Sequence, residues 1–246
     1  MQIPKKIYRD NLKQSFVDLR FDPNLPIELI SGLVFGELTK SGFKYVPGNS
    51  GVINLNTTQN NSNIQVGQLV PGLFFNDKIS VRIPEHGRLM FNLQSSYPGW
   101  DAYIENIIKV LTIVKNLNIV NAYKNIGLRY ISEYVNESLE GKLKSNLSWN
   151  ITNKNNSIQS SAYKADYDDQ DRKVIINLAN NLRRKNNVKG IIEVISAIDI
   201  DVIRPLANTN DIDFVISEIN KSHEIGKQYF FGLLSENFLT SLKPEY

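Results

Sequence analysis

Apolar and polar residues alternate over Leu12, Phe16, Leu19 and Phe21, with Gln14, Asp18 and Arg20 between them. This pattern predicts a strand over 12–21 that Asp22-Pro23 terminates. The period then lengthens to that of a helix. Pro26 stands at a favourable first-turn position, Ile27, Ile30, Leu33, Val34 and Leu38 share one face, and Ser41-Gly42 closes the segment. Between 43 and 75 the pattern weakens to short strand candidates at 43–46, 52–55 and 64–70. Alternation returns in Ile79, Val81 and Ile83 and again in Leu89, Phe91 and Leu93, so Glu85-His86-Gly87-Arg88 reads as a hairpin turn. Asp101 can cap the cleanest amphipathic helix of the chain, carried by Ile104, Ile107, Ile108, Leu111, Val114 and Leu117.

The second half follows much the same order. A strand is expected over 126–134, a short helical segment over 138–144, and strands at 147–151, 158–165 and 174–178. A basic turn over 182–187 leads into a long strand from Val188 to about Ile203. Asn210 or Asp211 can cap a last helix from 211 to about 238, with Ile212, Val215, Ile219, Phe230 and Leu233 at helical spacing. Strands in succession imply antiparallel pairing. The expected class is α+β: a curved antiparallel sheet packed against long helices, in two pseudo-repeated strand-helix-strands-helix halves. The halves are expected at 1–120 and 121–246, packed as one compact unit, as in TATA-binding-protein-like or helix-grip folds.

Composition narrows the chemistry. Hydrophobic residues at 41% and charged residues at 22% are those of a globular chain, which sets disorder aside. The absence of cysteine excludes disulfides, thiolate zinc sites, iron–sulfur clusters and cysteine nucleophiles. Lys5, Lys6, Arg9, Asp10, Lys13 and Asp18 interrupt the opening residues, so no secretory leader is expected and a cytoplasmic location is. No run approaches the roughly 18 apolar residues of a membrane span, and no membrane association is expected. The 28 basic and 25 acidic residues are interspersed, which permits nucleic-acid binding without indicating it. Thirty asparagines are expected to gather in turns such as 59–63 and 153–157.

The sharpest local feature is Ile126-Gly127-Leu128-Arg129-Tyr130-Ile131, where an arginine stands between large apolar residues. Asp199 and Asp201 lie two apart on a predicted strand and project from one face, with Glu193 further back on it. Three readings stay open: a structural charge network with Arg20 and Arg129, an anion or ligand site, and a metal-dependent centre with Asp199 and Asp201 as ligands and Arg20 or Arg129 as clamp. His223 falls on or beside the apolar stripe of the last helix, either as a packing residue or as a general base, and His86 sits in a hairpin turn. Arg183, Arg184 and Lys185, extended by Lys189, read as a solvated edge or a phosphate contact. Gly48-Asn49-Ser50-Gly51 and Pro71-Gly72 lack the spacing of a phosphate loop, and no Gly-x-Ser-x-Gly elbow occurs, so no cofactor is expected.

Several segments together resemble a family of uncharacterised bacterial proteins of about this length that are sporadically distributed among genomes. They are Phe16-Val17-Asp18-Leu19-Arg20-Phe21, Leu89-Met90-Phe91-Asn92-Leu93 with Tyr97-Pro98-Gly99-Trp100, Gly127-Leu128-Arg129-Tyr130-Ile131, Ile198-Asp199-Ile200-Asp201, and His223 with Phe230 downstream. Leu93 and Ser132 depart from the family pattern. The resemblance carries no activity. Its patchy distribution is like that of toxin–antitoxin and phage-defence components, which implies a partner protein encoded nearby. The leading expectation is therefore a non-enzymatic binding or regulatory component. The alternative is a metal-dependent enzyme acting on a phosphorylated or nucleic-acid substrate through Asp199 and Asp201.

Overall fold

A computed structural model describes residues 2–9, 11–48, 53–58, 61–66, 72–83, 87–144, 160–186 and 190–246. Its elements are β1 (Lys6–Ile7), β2 (Leu12–Pro23), α1 (Ile27–Lys40), β3 (Lys44–Val46), β4 (Ile53–Thr58), β5 (Asn61–Val66), β6 (Leu73–Phe75), β7 (Ile79–Arg82) and β8 (Arg88–Leu93). They continue as α2 (Trp100–Asn116), β9 (Val120–Val135), β10 (Ser161–Asp169), β11 (Arg172–Asn186), β12 (Ile191–Thr209), α3 (Ile212–Leu233), α4 (Glu236–Ser241) and β13 (Pro244–Glu245). Nine of these strands belong to one large antiparallel sheet, so the mixed α and β class is as expected. The chain divides into two compact units whose segments interleave: Met1–Phe16, Ile126–Pro205 and Ile216–Tyr246 in one, Val17–Asn125 and Leu206–Val215 in the other.

The unit built on Val17–Asn125 orders its strands β2-β8-β7-β6-β3. Ile79 pairs with Leu93 and Val81 with Phe91, which puts the apolar set of both strands on one face. Against this core lie Ile30, Val34 and Leu38 of α1 and Tyr103, Ile107, Leu111 and Val114 of α2, all fully buried. Burying each such side chain contributes roughly 1.5–3 kcal/mol. Helix α1 stops where Gly42 adopts φ +89°, and the Phe43 and Gly42 amides donate to the Leu38 and Thr39 carbonyls at 3.0 and 3.1 Å. That is the Schellman closure the Ser41-Gly42 pair predicts. Gly87, at φ +63°, accepts the Phe21 amide at 2.8 Å, and a Cβ there would overlap the Phe21 carbonyl oxygen. Gly87→Ala is expected to cost about 1–3 kcal/mol, measurable as a lower urea midpoint at unchanged slope.

The other unit orders its strands β10-β11-β12-β9. Register aligns Val174 with Val202, Ile176 with Ile200 and Leu178 with Ile198, and these six side chains form one apolar face. Tyr134, Phe231, Leu234, Phe238 and Leu239 close over them. The expected terminal helix is two helices, because Ser235 interrupts it and caps α4 by accepting the Phe238 amide. Asp211 caps α3, its Oδ1 accepting from the amides of Asp213 and Phe214 at 3.0 and 3.1 Å.

Three local expectations are corrected. Asp101 does not cap α2, which starts at Trp100 with Gly99 in the cap position and no side-chain bond there, so Asp101 lies within the first turn. Residues 138–144 are a turn, not a helix: a local bond, from the Lys142 amide to the Leu139 carbonyl, closes the turn, and other backbone bonds reach outside it, from the Leu139 amide to Asn180 Oδ1, from the Lys144 amide to the Leu233 carbonyl and from the Ser235 amide to the Lys142 carbonyl. Arg183-Arg184-Lys185 is not a turn but the end of β11, held by register Arg183↔Val194, Arg184↔Glu193 and Lys185↔Ile192. The strand expected at 147–151, along with His86 and Lys189, lies outside the described residues.

Candidate binding face

Strand parity builds two faces on β10, β11 and β12. One is the apolar face beneath the helices. On the other, register stacks Ala162, Ala179 and Ala197 in one row across three strands, Lys164, Asn177 and Asp199 in the next, and Asp166, Ile175 and Asp201 in a third. Three methyl side chains abreast leave a trough. It has a volume of about 330 Å³ and is lined by the alanines together with Ile131, Tyr163, Lys164, Asn177 and Asp199.

Asp199 stands in the wall of this trough, and Arg129 of β9 grips it from the neighbouring strand. Arg129 Nε donates to Asp199 Oδ1 at 2.8 Å and a terminal guanidinium nitrogen to Oδ2 at 2.7 Å. Asn177 Nδ2 adds a third bond to Oδ2 at 3.1 Å. The Asp199 side chain is 12% exposed and that of Arg129 44%, so the pair borders open space and is not sealed in the interior. The hydrogen bonds to Asp199, followed by the charges of Asp199 and Asp201, outweigh desolvation and raise the Arg129 pKa above its ordinary value. The face therefore presents a fixed cation beside a carboxylate whose two oxygens are both engaged.

The other candidate residues fall elsewhere. Tyr130 projects to the opposite face, where its hydroxyl meets His223 Nδ1 at 2.8 Å. His223 is buried, and burial, followed by the charge of Lys227, lowers its pKa to about 3, which keeps the ring neutral. Gly226, one turn on, rests on Tyr130 and Val202. Glu193 is buried opposite Arg184 in register. Arg184 is bound at both ends of its fork by Glu133, at 2.9 and 3.1 Å, which neutralises the middle of the basic cluster. Arg20 is an exposed side chain of β2, not the buried guanidinium expected from its flanking apolar residues.

The row partners Asn177 and Lys164, and the alanines, were not singled out from sequence. Their significance is a matter of register, which single-strand patterns do not contain. A second cluster was also missed: Glu218 of α3 with Arg172, Arg204 and Lys221. The available signal was an acidic residue between Val215, Ile219 and Ser222 on the buried stripe of a helix.

Among the described residues, no group of three or more histidine, aspartate or glutamate side chains is placed to hold a metal ion. No helix there is long and apolar enough to cross a membrane. No protein-family model matches the chain, and no curated protein matches it either.

The exposure of Arg129 also sets an expected result. A partly exposed ion pair contributes about 1 kcal/mol or less, so Asp199→Asn is expected to shift the unfolding free energy by no more than that. A collapse of the fold in a denaturant titration would assign the carboxylate a structural role instead.

Proposed function

We propose that this chain is a non-enzymatic binding or regulatory protein whose recognition surface is the sheet face around Arg129, Asn177 and Asp199, opposite the apolar face on which the helices pack. The observation that carries this reading is the trough of about 330 Å³ with a bidentate arginine–aspartate pair in and beside its wall. A pre-formed concavity with few, fixed polar groups over an apolar floor is the usual composition of a recognition site. The alanine row admits a chain or side chain close to the backbone, and the ion pair supplies orientation. The metal-dependent alternative draws less support, because both Asp199 oxygens already accept hydrogen bonds.

The sporadic distribution of the family this sequence resembles favours a protein partner encoded nearby, in the manner of antitoxin or phage-defence components. The finer fold reading, a pseudo-duplicated helix-grip or TATA-binding-protein-like sheet, belongs to the same proposal. It is supported by a parallel between the two units: each carries a bidentate pair across neighbouring strands, Arg129–Asp199 in one and Arg88–Asp18, at 2.7 and 2.6 Å, in the other.

Affinity purification from the native operon is the test. The wild-type chain is expected to carry a stoichiometric protein partner, and Ala197→Phe, which fills the trough, to lose it while keeping the far-ultraviolet spectrum. Recovery of partner-free protein from its own operon would overturn the proposal.

A further inference from the structure

Helix α1 has a face that its own core does not explain. Ile30, Val34 and Leu38 turn inward and are fully buried. The opposite side carries Leu29, 57% exposed, and Leu33, 42% exposed, beside Gly32 and Gly36. On the far flank Phe35, 43% exposed, stacks edge-on against Tyr45 at 5.1 Å. Glycine in a helix interior is unfavourable relative to alanine, and it is retained where something must come close to the backbone. Among the described residues nothing does so: a Cβ built on either Gly32 or Gly36 meets no atom of theirs within 4 Å. The two glycines lie one turn apart and form a groove between a leucine ridge and an aromatic ridge.

We infer that this face is the interface of a two-fold homodimer, with α1 packed antiparallel on α1 of a second copy. The sequence is self-complementary for that contact. About a two-fold axis between positions 32 and 33, Leu29 of one copy lies opposite Gly36 of the other, and Leu33 lies opposite Gly32. Each leucine ridge then enters the partner's glycine groove, which is ridge-into-groove packing at short interaxial distance. The antiparallel arrangement also sets each helix N-terminus beside the partner's C-terminus, where the macrodipoles attract.

The area fits a second copy. The exposed fractions of Leu25, Leu29, Leu33, Phe35, Tyr45 and Val46 leave roughly 450 Å² of apolar surface per copy, on side-chain areas of about 150–250 Å². Two such faces bury about 900 Å², and the glycine backbone with flanking Ser31 and Lys40 brings the total to the roughly 1,000 Å² at which specific interfaces begin. An interface at this lower bound belongs with weak, reversible associations, so the dimer is to be sought at micromolar concentrations and above.

Sedimentation velocity of the full chain, from about 1 to 200 μM, tests the dimer across that range. The expected result is a monomer–dimer equilibrium that Leu29→Lys abolishes, at a position too exposed for the change to unfold the core. The Gly32→Ala, Gly36→Ala double variant separates this contact from folding. It is expected to raise the melting temperature, through helix propensity, while weakening association about tenfold. Three outcomes would overturn the inference: a monomer throughout the range, a dimer indifferent to both variants, or a monomer that instead takes the helix of a different protein on this face.

Discussion

Replacing Glu218 with alanine is expected to lower the stability of this protein by about 3–5 kcal/mol, the largest loss from any single charged side chain described here. Its carboxylate is 2% exposed and serves three cations. Oε2 accepts from Arg172 at 2.6 Å and from Arg204 Nε at 2.8 Å, and Oε1 accepts from Lys221 at 2.6 Å. Arg172 is itself only 4% exposed, its remaining ion pair is with Asp171, and its Nε already lacks a partner among the described residues. Without Glu218 that guanidinium keeps a buried charge with half its compensation. Glu218→Ala exposes this penalty, whereas Arg172→Met combined with Glu218→Leu removes both charges and is expected to recover most of the loss. Urea unfolding of the singles Arg172→Met and Glu218→Leu and of their double closes the cycle. A double variant as unstable as the sum of the singles would refute the assignment.

The same group fixes a low-pH limb. Burial alone pushes the Glu218 carboxyl up, but the hydrogen bonds from Lys221 and Arg204 and the charge of Arg172 outweigh it and hold its pKa below the ordinary value of 4.5. A depressed carboxyl pKa stabilises the fold above the unfolded value and ceases to do so as pH falls through the folded one. The contribution of Glu218 is therefore complete above about pH 4.5 and disappears below it.

These charges show where sequence pattern reaches and where it stops. Arg129 drew notice because Leu128 and Tyr130 flank it, yet the strand is plain alternation: Ile126, Leu128, Tyr130 and Tyr134 are inward, Arg129 and Glu133 outward. Arg20, between Leu19 and Phe21, obeys the same rule and is simply exposed. What distinguishes Arg129 is its partner on β12, and a strand's neighbours are set by long-range pairing that its own residues do not encode. The common face of Asp199 and Asp201 was legible because it follows from a period of two. The alanine row was not, since it needs the offsets of three strands together, including the irregularity of β11 between Ala179 and Leu182. There Asn181 takes φ +56° and its amide donates to Ser196 Oγ. Arg172 was hidden for another reason: Asp168-Asp169-Gln170-Asp171-Arg172 reads as a solvated turn, and only the approach of α3 buries its last residue.

The second large effect is expected in mild acid and belongs to His223. Its ring is 9% exposed, bonded to Tyr130 and set near Glu224 and Lys227 on its own helix, and burial, with the Lys227 charge second, lowers its pKa from 6.5 to about 3. Below pH 6.5 the unfolded chain binds a proton that the folded chain refuses, so stability falls as pH falls across this window. Each pH unit costs up to about 1.4 kcal/mol, or about 3 kcal/mol between pH 6.5 and pH 4. The loss starts well above the Glu218 limb, so the two separate on the pH axis. His223→Gln keeps a hydrogen-bonding partner for Tyr130 but cannot be protonated in this range. It is expected to flatten the unfolding free energy between pH 6.5 and 4.5 while leaving the steeper fall below 4.5 in place. Equal slopes in wild type and variant, measured by urea titration at closely spaced pH values, would mean that His223 protonates in the folded state and that the Tyr130 contact opens to admit the charge.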